Sequence, residues 1–363
     1  MGQADAPFIS DSTPRGIYTG FGGNVTVEAD GAINVNGSRI ATYNGGNVNV
    51  ISGMPSANGQ PVNWSDVVVG SGGLLYVADA TAPQIIYNKK PQVDANNNPI
   101  RGYVVTLSGG GVDAGDGAKG FFNLSAYSDV VVSEVDGQPS VEVLYDPTHP
   151  KQFFGSGILA LTGASSDAHV GNINVASGGD ISAGTGGILQ LAFNKVDQSG
   201  AVLNLHAYAG DIDAGNSGVL GQNVTALADE GSVNGLFVAV GNATINAGQN
   251  VSVTALAGGS ASVSGGGTVA GTVIGGTGVS VGGAEVTADA ISTGGSVSGS
   301  TSGATSAFAG VAAPAAQKTT DDTGAKAATA KSDLGGDDED LKKRKPALAQ
   351  KVSRVTVILP KKS

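Results

Sequence analysis

One phrase returns along most of this chain: a glycine, a small polar residue, then aliphatic residues at alternate positions. It reads GNVTVEADGAINV from Gly23, GNVNVIS from Gly46, GNINVASGGDISA from Gly171, GDIDA from Gly210, QNVTALADEGSVNG from Gln222, NATINAGQNVSVTALAGG from Asn242 and GVSVGGAEVTADAIS from Gly278. Strict alternation bounded by Gly, Asn, Asp and Ser marks short strands with turns between them. Helix is a poor alternative, because Gly and the β-branched Val, Ile and Thr weaken it and no capping box precedes a run of helical period.

Short strands in a repeat of about 20 residues predict a solenoid, an all-β parallel β-helix in which each coil pairs with the coils above and below. Inward aliphatics then stack in columns, and Asn or Gly at the turns supplies left-handed backbone. A β-sandwich uses similar strands. Against it, few Asn-Gly or Asp-Gly hairpin turns separate the repeats, and the inward residues shrink until 258–310 is nearly all Gly, Ser, Ala, Thr and Val. At one strand spacing per coil, about 14 coils would form a rod on the order of 70 Å long.

The body of repeats is expected over 21–310, behind an N-terminal segment or cap at 1–20. Two stretches break it. Residues 54–103 hold prolines, the only tryptophan and a polar loop, and read as irregular coils with an insertion. Residues 129–155 read as a projecting hairpin, with strands at Val130 to Val135 and Val141 to Tyr145 and a turn beginning Asp136-Gly137. Residues 311–350 are rich in Ala, Lys, Asp and Thr and read as a disordered linker before a C-terminal strand in 351–363. There Val355, Val357 and Leu359 form one face, suited to pairing with an exposed strand of this stack or of a partner.

Charge narrows the function. The formal net charge is −11, a field that repels nucleic acid and anionic lipid. The 59 glycines show no Gly-X-Y period, and the chain holds no cysteine, so collagen, disulfide and thiolate chemistry are set aside. No run of apolar residues is long enough for a membrane-spanning helix. The start, MGQADAPFISDSTPRG, lacks a basic end followed by an apolar run, so no signal peptide is read; an exported protein would then be represented by a mature form or a fragment.

Catalytic candidates in the coils are Asp180, Asp211 and Asp213, with His206 nearby in sequence. Polysaccharide hydrolysis or lysis needs acids clustered across coils beside a cation, yet the body's arginines, Arg15, Arg39 and Arg101, lie far upstream. The reading is turn-forming aspartates and no catalytic residue. Asp113 and Asp116, in GGGVDAGDGAKG, depart from the tandem nonapeptide calcium pattern. His149, His169 and His206 have no ligand spacing, so neither a metal nor another cofactor is expected. The run DDEDLKKRKP at 337–346 reads as a solvated linker. Trp64, Tyr87, Tyr145 and Phe153 are the candidate surface contacts, since aromatic rings are the usual anchors; equally, they could fill the wider coils.

The phrases GGNVNV, GNINVASGGDISA and GQNVSVTALAGG resemble the repeats of the filamentous haemagglutinin family, adhesins exported by two-partner secretion, over most of 20–310. The resemblance implies a right-handed parallel β-helix and a passenger or C-terminal piece of a secreted or outer-membrane-associated protein. It also implies a barrel transporter as export partner, and a host-cell, surface or polysaccharide ligand. The family's Asn-Pro-Asn-Gly and Asn-Pro-x-Leu secretion signatures are not present. The expectation is therefore a structural or adhesive β-helix without catalysis, with a carbohydrate-active enzyme and a trimeric phage or viral fibre domain as rival readings.

Overall fold

The computed structural model describes residues 16–308 except 20–21, 88, 116–126, 136–137, 146–151, 154–156, 163–165, 193, 216 and 301–306, and gives only the backbone course of 127–135, 138–145, 152–153, 300 and 307–308. The fold is an all-β parallel β-helix. One face is a nine-stranded sheet running from Val25–Ala29 through Val48–Ser52, Ile173–Ser177, Val202–Ala207, Asn223–Ala228, Ala243–Ala247, Ser260–Gly265 and Gly278–Gly282 to Ser296–Ser300. Every neighbouring pair in it is parallel and in register.

That register converts the alternation into columns. Val25, Val48, Ile173, Leu203, Val224, Ala243, Ala261 and Val279 stack in one of them, and all are buried in the main core. A second sheet of 15 strands closes the coil on its other sides. In the N-terminal coils it has separate limbs, as with Ile181–Ser182 and Ile188–Ala192, so the coil has three strands. Both limbs then merge in the long strand Val233–Ala239, which pairs with Ile212–Asp213 at one end and Val219–Gly221 at the other. The merged strand continues in Val251–Ala257 and Thr268–Gly275, after which the limbs separate again as Glu285–Val286 and Asp289–Ser292.

Coil length follows this change. Stacked positions are 30 residues apart from Ile173 to Leu203, 21 from Leu203 to Val224, 19 from Val224 to Ala243, and then 18 from Ala243 to Ala261 and from Ala261 to Val279. The core thins in step: Phe237 fills the junction, and Val273 and Ala290 line later coils. Small inward residues suit these coils because 18 residues enclose less volume than 30. Gly271, with φ of 103°, carries no side chain where a Cβ would come 2.0 Å from the Val253 carbonyl oxygen.

One coil is 125 residues long, from Val48 to Ile173. It carries both interruptions on ordinary coil strands, with Val112–Asp113 and Gly157–Thr162 returning the chain to the stack. The first excursion builds an antiparallel five-stranded sheet with Gly102–Ser108 at its centre, flanked by Met54–Ala57 and Leu75–Ala78. The second includes Tyr127–Val135 paired antiparallel with Gln138–Tyr145, and Gln152–Phe153 alongside. These excursions shorten the rod: the longest stack, ten strands from Ile17–Thr19 to Ala307–Phe308, gives nine spacings of about 4.8 Å, roughly 43 Å among the described residues and not 70 Å.

As expected, glycine and asparagine at the turns supply left-handed backbone, with positive φ at Gly22, Gly23, Gly45 and Gly46 and, among non-glycine residues, at Asn36, Asn44, Asn58, Lys89 and Asn97. The asparagines that open the repeats, Asn24, Asn47 and Asn172, are not among them. Instead the Asn24 side-chain carbonyl accepts from Asn47 N at 2.8 Å, Asn47 from Asn172 N at 2.9 Å, and Asn172 from Val202 N at 3.0 Å. Each corner is thereby tied to the next coil, satisfying backbone N–H groups that a turn leaves unpaired.

Candidate functional site

The five-stranded side sheet lies against the outer face of the nine-stranded sheet. Ile51 and Ala176, which point outward from the coils, are buried in a cluster with Leu75, Val105 and Leu107 of the side sheet. Trp64 packs half-buried on this cluster, and its indole N–H donates to Asp30 Oδ1 at 2.8 Å. That places Trp64 as a brace between insertion and coil.

Beside the brace the two surfaces separate around a cavity of 240 Å³. Its floor is the outer face of three successive coils, with Asn174 and Ala176, then Asn204 and His206, then Thr225 and Leu227. Its wall is Val69, the turn at Gly72 and Gly73, Leu75 and the ring of Tyr87. The turn approaches the floor closely, since a Cβ on Gly73 would lie 3.3 Å from Asn204 Cβ.

Two polar arrays border the cavity. In the first, Asn204 Nδ2 donates to Asn174 Oδ1 at 2.9 Å, Asn174 Nδ2 to Asn49 Oδ1 at 2.9 Å, and Asn49 Nδ2 to Thr26 Oγ1 at 3.2 Å. Stacked in-register strands make this chain of amides inevitable once Asn recurs at one outward position. In the second, His206 Nε2 lies 2.9 Å from Asp229 Oδ2, and its ring stacks on Tyr208 with centroids 4.0 Å apart. The Tyr208 hydroxyl donates to the Val105 carbonyl at 3.0 Å, linking coil to side sheet. Burial pushes the Tyr208 hydroxyl well above its ordinary range, with Tyr87 and Asp229 adding to the effect; burial and then Asp229 also raise Tyr87. Both phenols stay protonated through the physiological range.

The sequence-derived candidates separate. Tyr87 lines the cavity and Trp64 braces it. Tyr145 and Phe153 belong to the hairpin sheet, where only the backbone is described, and Val355, Val357 and Leu359 lie outside the described residues, as do Asp116, His149 and the run 337–346. Asp180 Oδ1 accepts from Asp211 N at 2.9 Å and Asp211 Oδ1 from Ser232 N at 2.7 Å, a corner ladder between coils. Asp213 Oδ1 accepts from Gly215 N at 2.8 Å and Asp113 Oδ1 from Gly115 N at 2.9 Å, each closing its own turn. Among the described residues, no three His, Asp or Glu side chains converge as a metal ion requires.

Sequence reading missed the His206–Asp229 pair and the asparagine chain. Both join residues on different coils, 23 residues apart for His206 and Asp229 and 125 for Asn49 and Asn174, so only the stacking register brings them together. The same outward position in GNVNV, GNINV and AVLNL was the available signal. Neither family models nor curated proteins nor solved structures give a match to this chain, so the cavity and its fold stand as the basis for assigning a role.

Proposed function

We propose that this protein is a secreted or cell-surface β-helix of structural and adhesive kind, similar in repeat style to the filamentous haemagglutinins. In this reading the cavity under the side sheet is its contact site, and the chain has no catalysis of its own. The observation that carries the proposal is the braced cavity itself. An insertion held to a rigid stack by Trp64 and Tyr208 presents Tyr87 and a row of amides at fixed spacing. Preorganised contacts of this kind lower the entropy lost on binding. The acids of the coil corners, Asp180 and Asp211, already accept backbone N–H groups, which supports a scaffold role for them. The ligand is carried on a host cell, a surface or a polysaccharide, and a barrel transporter in the outer membrane serves as export partner.

The test is attachment of labelled full chain to host cells and to polysaccharide-coated surfaces. Saturable attachment that unlabelled chain displaces is expected. No attachment to any surface would contradict the adhesive role. One observation favours a second reading, a carbohydrate-active enzyme: a histidine held by a carboxylate beside a cavity is a common acid–base arrangement. Release of new reducing ends from a polysaccharide panel, abolished by His206→Gln, would establish that reading instead.

A further inference from the structure

We propose that the cavity holds one end of an uncharged, hydroxyl-rich chain, a neutral glycan, which continues across the strands along the outer face of the nine-stranded sheet. The inference rests on the adhesive reading and names its ligand class.

The track is visible in the register. The outward position that holds Asn49, Asn174 and Asn204 continues as Thr225, Thr244, Ser262, Ser280 and Ser298. The first members are half-buried or buried beneath the side sheet, whereas Thr244, Ser262, Ser280 and Ser298 are exposed. Cavity and open ledge thus form one line, with a hydrogen-bonding group at each strand spacing of about 4.8 Å. That interval is close to the length of one sugar unit along an extended chain. Each ladder amide nitrogen carries a second proton beyond its ladder bond, and each Ser or Thr hydroxyl both donates and accepts, which matches alcohol groups better than a fixed acceptor or donor.

Charge selects among glycans. Among the described residues no Lys, Arg, Asp or Glu lines the cavity, and Asp229 is bound to His206 of its floor. The whole chain carries −11. Uronate or sulfate groups would meet repulsion with no cation to offset it. An extended peptide is also disfavoured, because it binds by adding to a sheet edge, while the strands of the floor have both neighbours already paired. The apolar component fits as well: the ring of Tyr87 and the aliphatic groups of Leu227 and Val69 offer flat and nonpolar surface to the C–H face of a pyranose.

The experiment titrates full-length protein with cello-, manno- and malto-oligosaccharides and, separately, with oligogalacturonate, following the amide and aromatic NMR signals of the cavity. Saturable binding of at least one neutral series is expected. Tyr87→Ala should weaken it about tenfold or more and Tyr87→Phe should retain it, with melting curves confirming that both variants fold. Leu227→Arg, which fills the floor and adds a cation, should also weaken neutral binding. Preference for oligogalacturonate, or neutral binding indifferent to both Tyr87→Ala and Leu227→Arg, would overturn the assignment. If the chain attaches to cells yet binds none of the neutral series, the glycan inference fails and the adhesive reading survives; if it does neither, both fail.

Discussion

Gln190 shows what single residues must do inside a coil. It is buried with its amide nitrogen donating to the Gly171 and Val202 carbonyls at 2.8 and 2.9 Å, while its side-chain oxygen accepts from Gln222 N at 2.9 Å. Gln190→Ala strands three backbone groups, and a loss of about 2–4 kcal/mol is expected in denaturant unfolding. Gln190→Glu adds a buried charge and should be worse. At the surface, Asp94 organises its loop by accepting from Asn96 N and Asn98 N, both at 2.8 Å. These bonds, led by the Asn98 backbone N–H, hold its carboxyl below the ordinary carboxylate value. A lowered value means the anion supports the loop above the ordinary carboxylate range, and that support is lost as pH falls through the lowered value. The Asn98 amide signal should therefore shift with a midpoint below that of a free aspartate; a midpoint at the ordinary value would refute it. Inward Val, Ile and Leu were legible in the sequence because a period of two fixes their side of the strand. The Asn24, Asn47 and Asn172 contacts were not, because a turn former and an inter-coil acceptor are the same residue type and only register tells them apart.

Elements of this fold are held at their corners as much as in their ladders. Asp180, Asp211 and Ser232 form one corner line, and Asn250 extends it by accepting from Thr268 N at 2.9 Å. Asp211→Asn keeps an oxygen in place and should leave thermal stability nearly unchanged, whereas Asp211→Ala should cost about 1–2 kcal/mol. Equal effects from the two would argue against the ladder role. The coil strands from Val233 onward were the easiest to read, because 18-residue coils repeat with little interruption. The short strands Ile181–Ser182 and Ile212–Asp213 span only two residues each, yet the phrases GDISA and GDIDA marked them, because a Gly-Asp corner precedes each one. The two interruptions were legible as breaks, since Pro, Trp and polar loops depart from the repeat. Their consequence, a side sheet that roofs a cavity, was not, because the contact between Leu75, Val105 and Ile51 depends on tertiary packing of an antiparallel sheet on a parallel one.

As a whole molecule the protein is a short rod whose coils are bridged by contacts distant in sequence. Among the described residues, no helix is long and apolar enough to cross a membrane. Its stability should behave as a sum over neighbouring coils, so local unfolding begins where side chains are smallest. Hydrogen exchange should be faster in the strand Gly278–Gly282 than in Ile173–Ser177, whose core residues are larger and whose outer face lies partly under the side sheet. Equal protection in the two strands would contradict that gradient. The central claim, parallel in-register stacking across the 125-residue coil, can be tested by cross-linking, because the chain has no cysteine to interfere. Asn49 and Asn174 are direct neighbours, whereas Asn49 and Asn204 are two strands apart. Under mild oxidation the double variant Asn49→Cys with Asn174→Cys should form an intramolecular disulfide in high yield, and Asn49→Cys with Asn204→Cys should form none. A bond in the second pair, or its absence from the first in folded protein, would contradict the stacked coil.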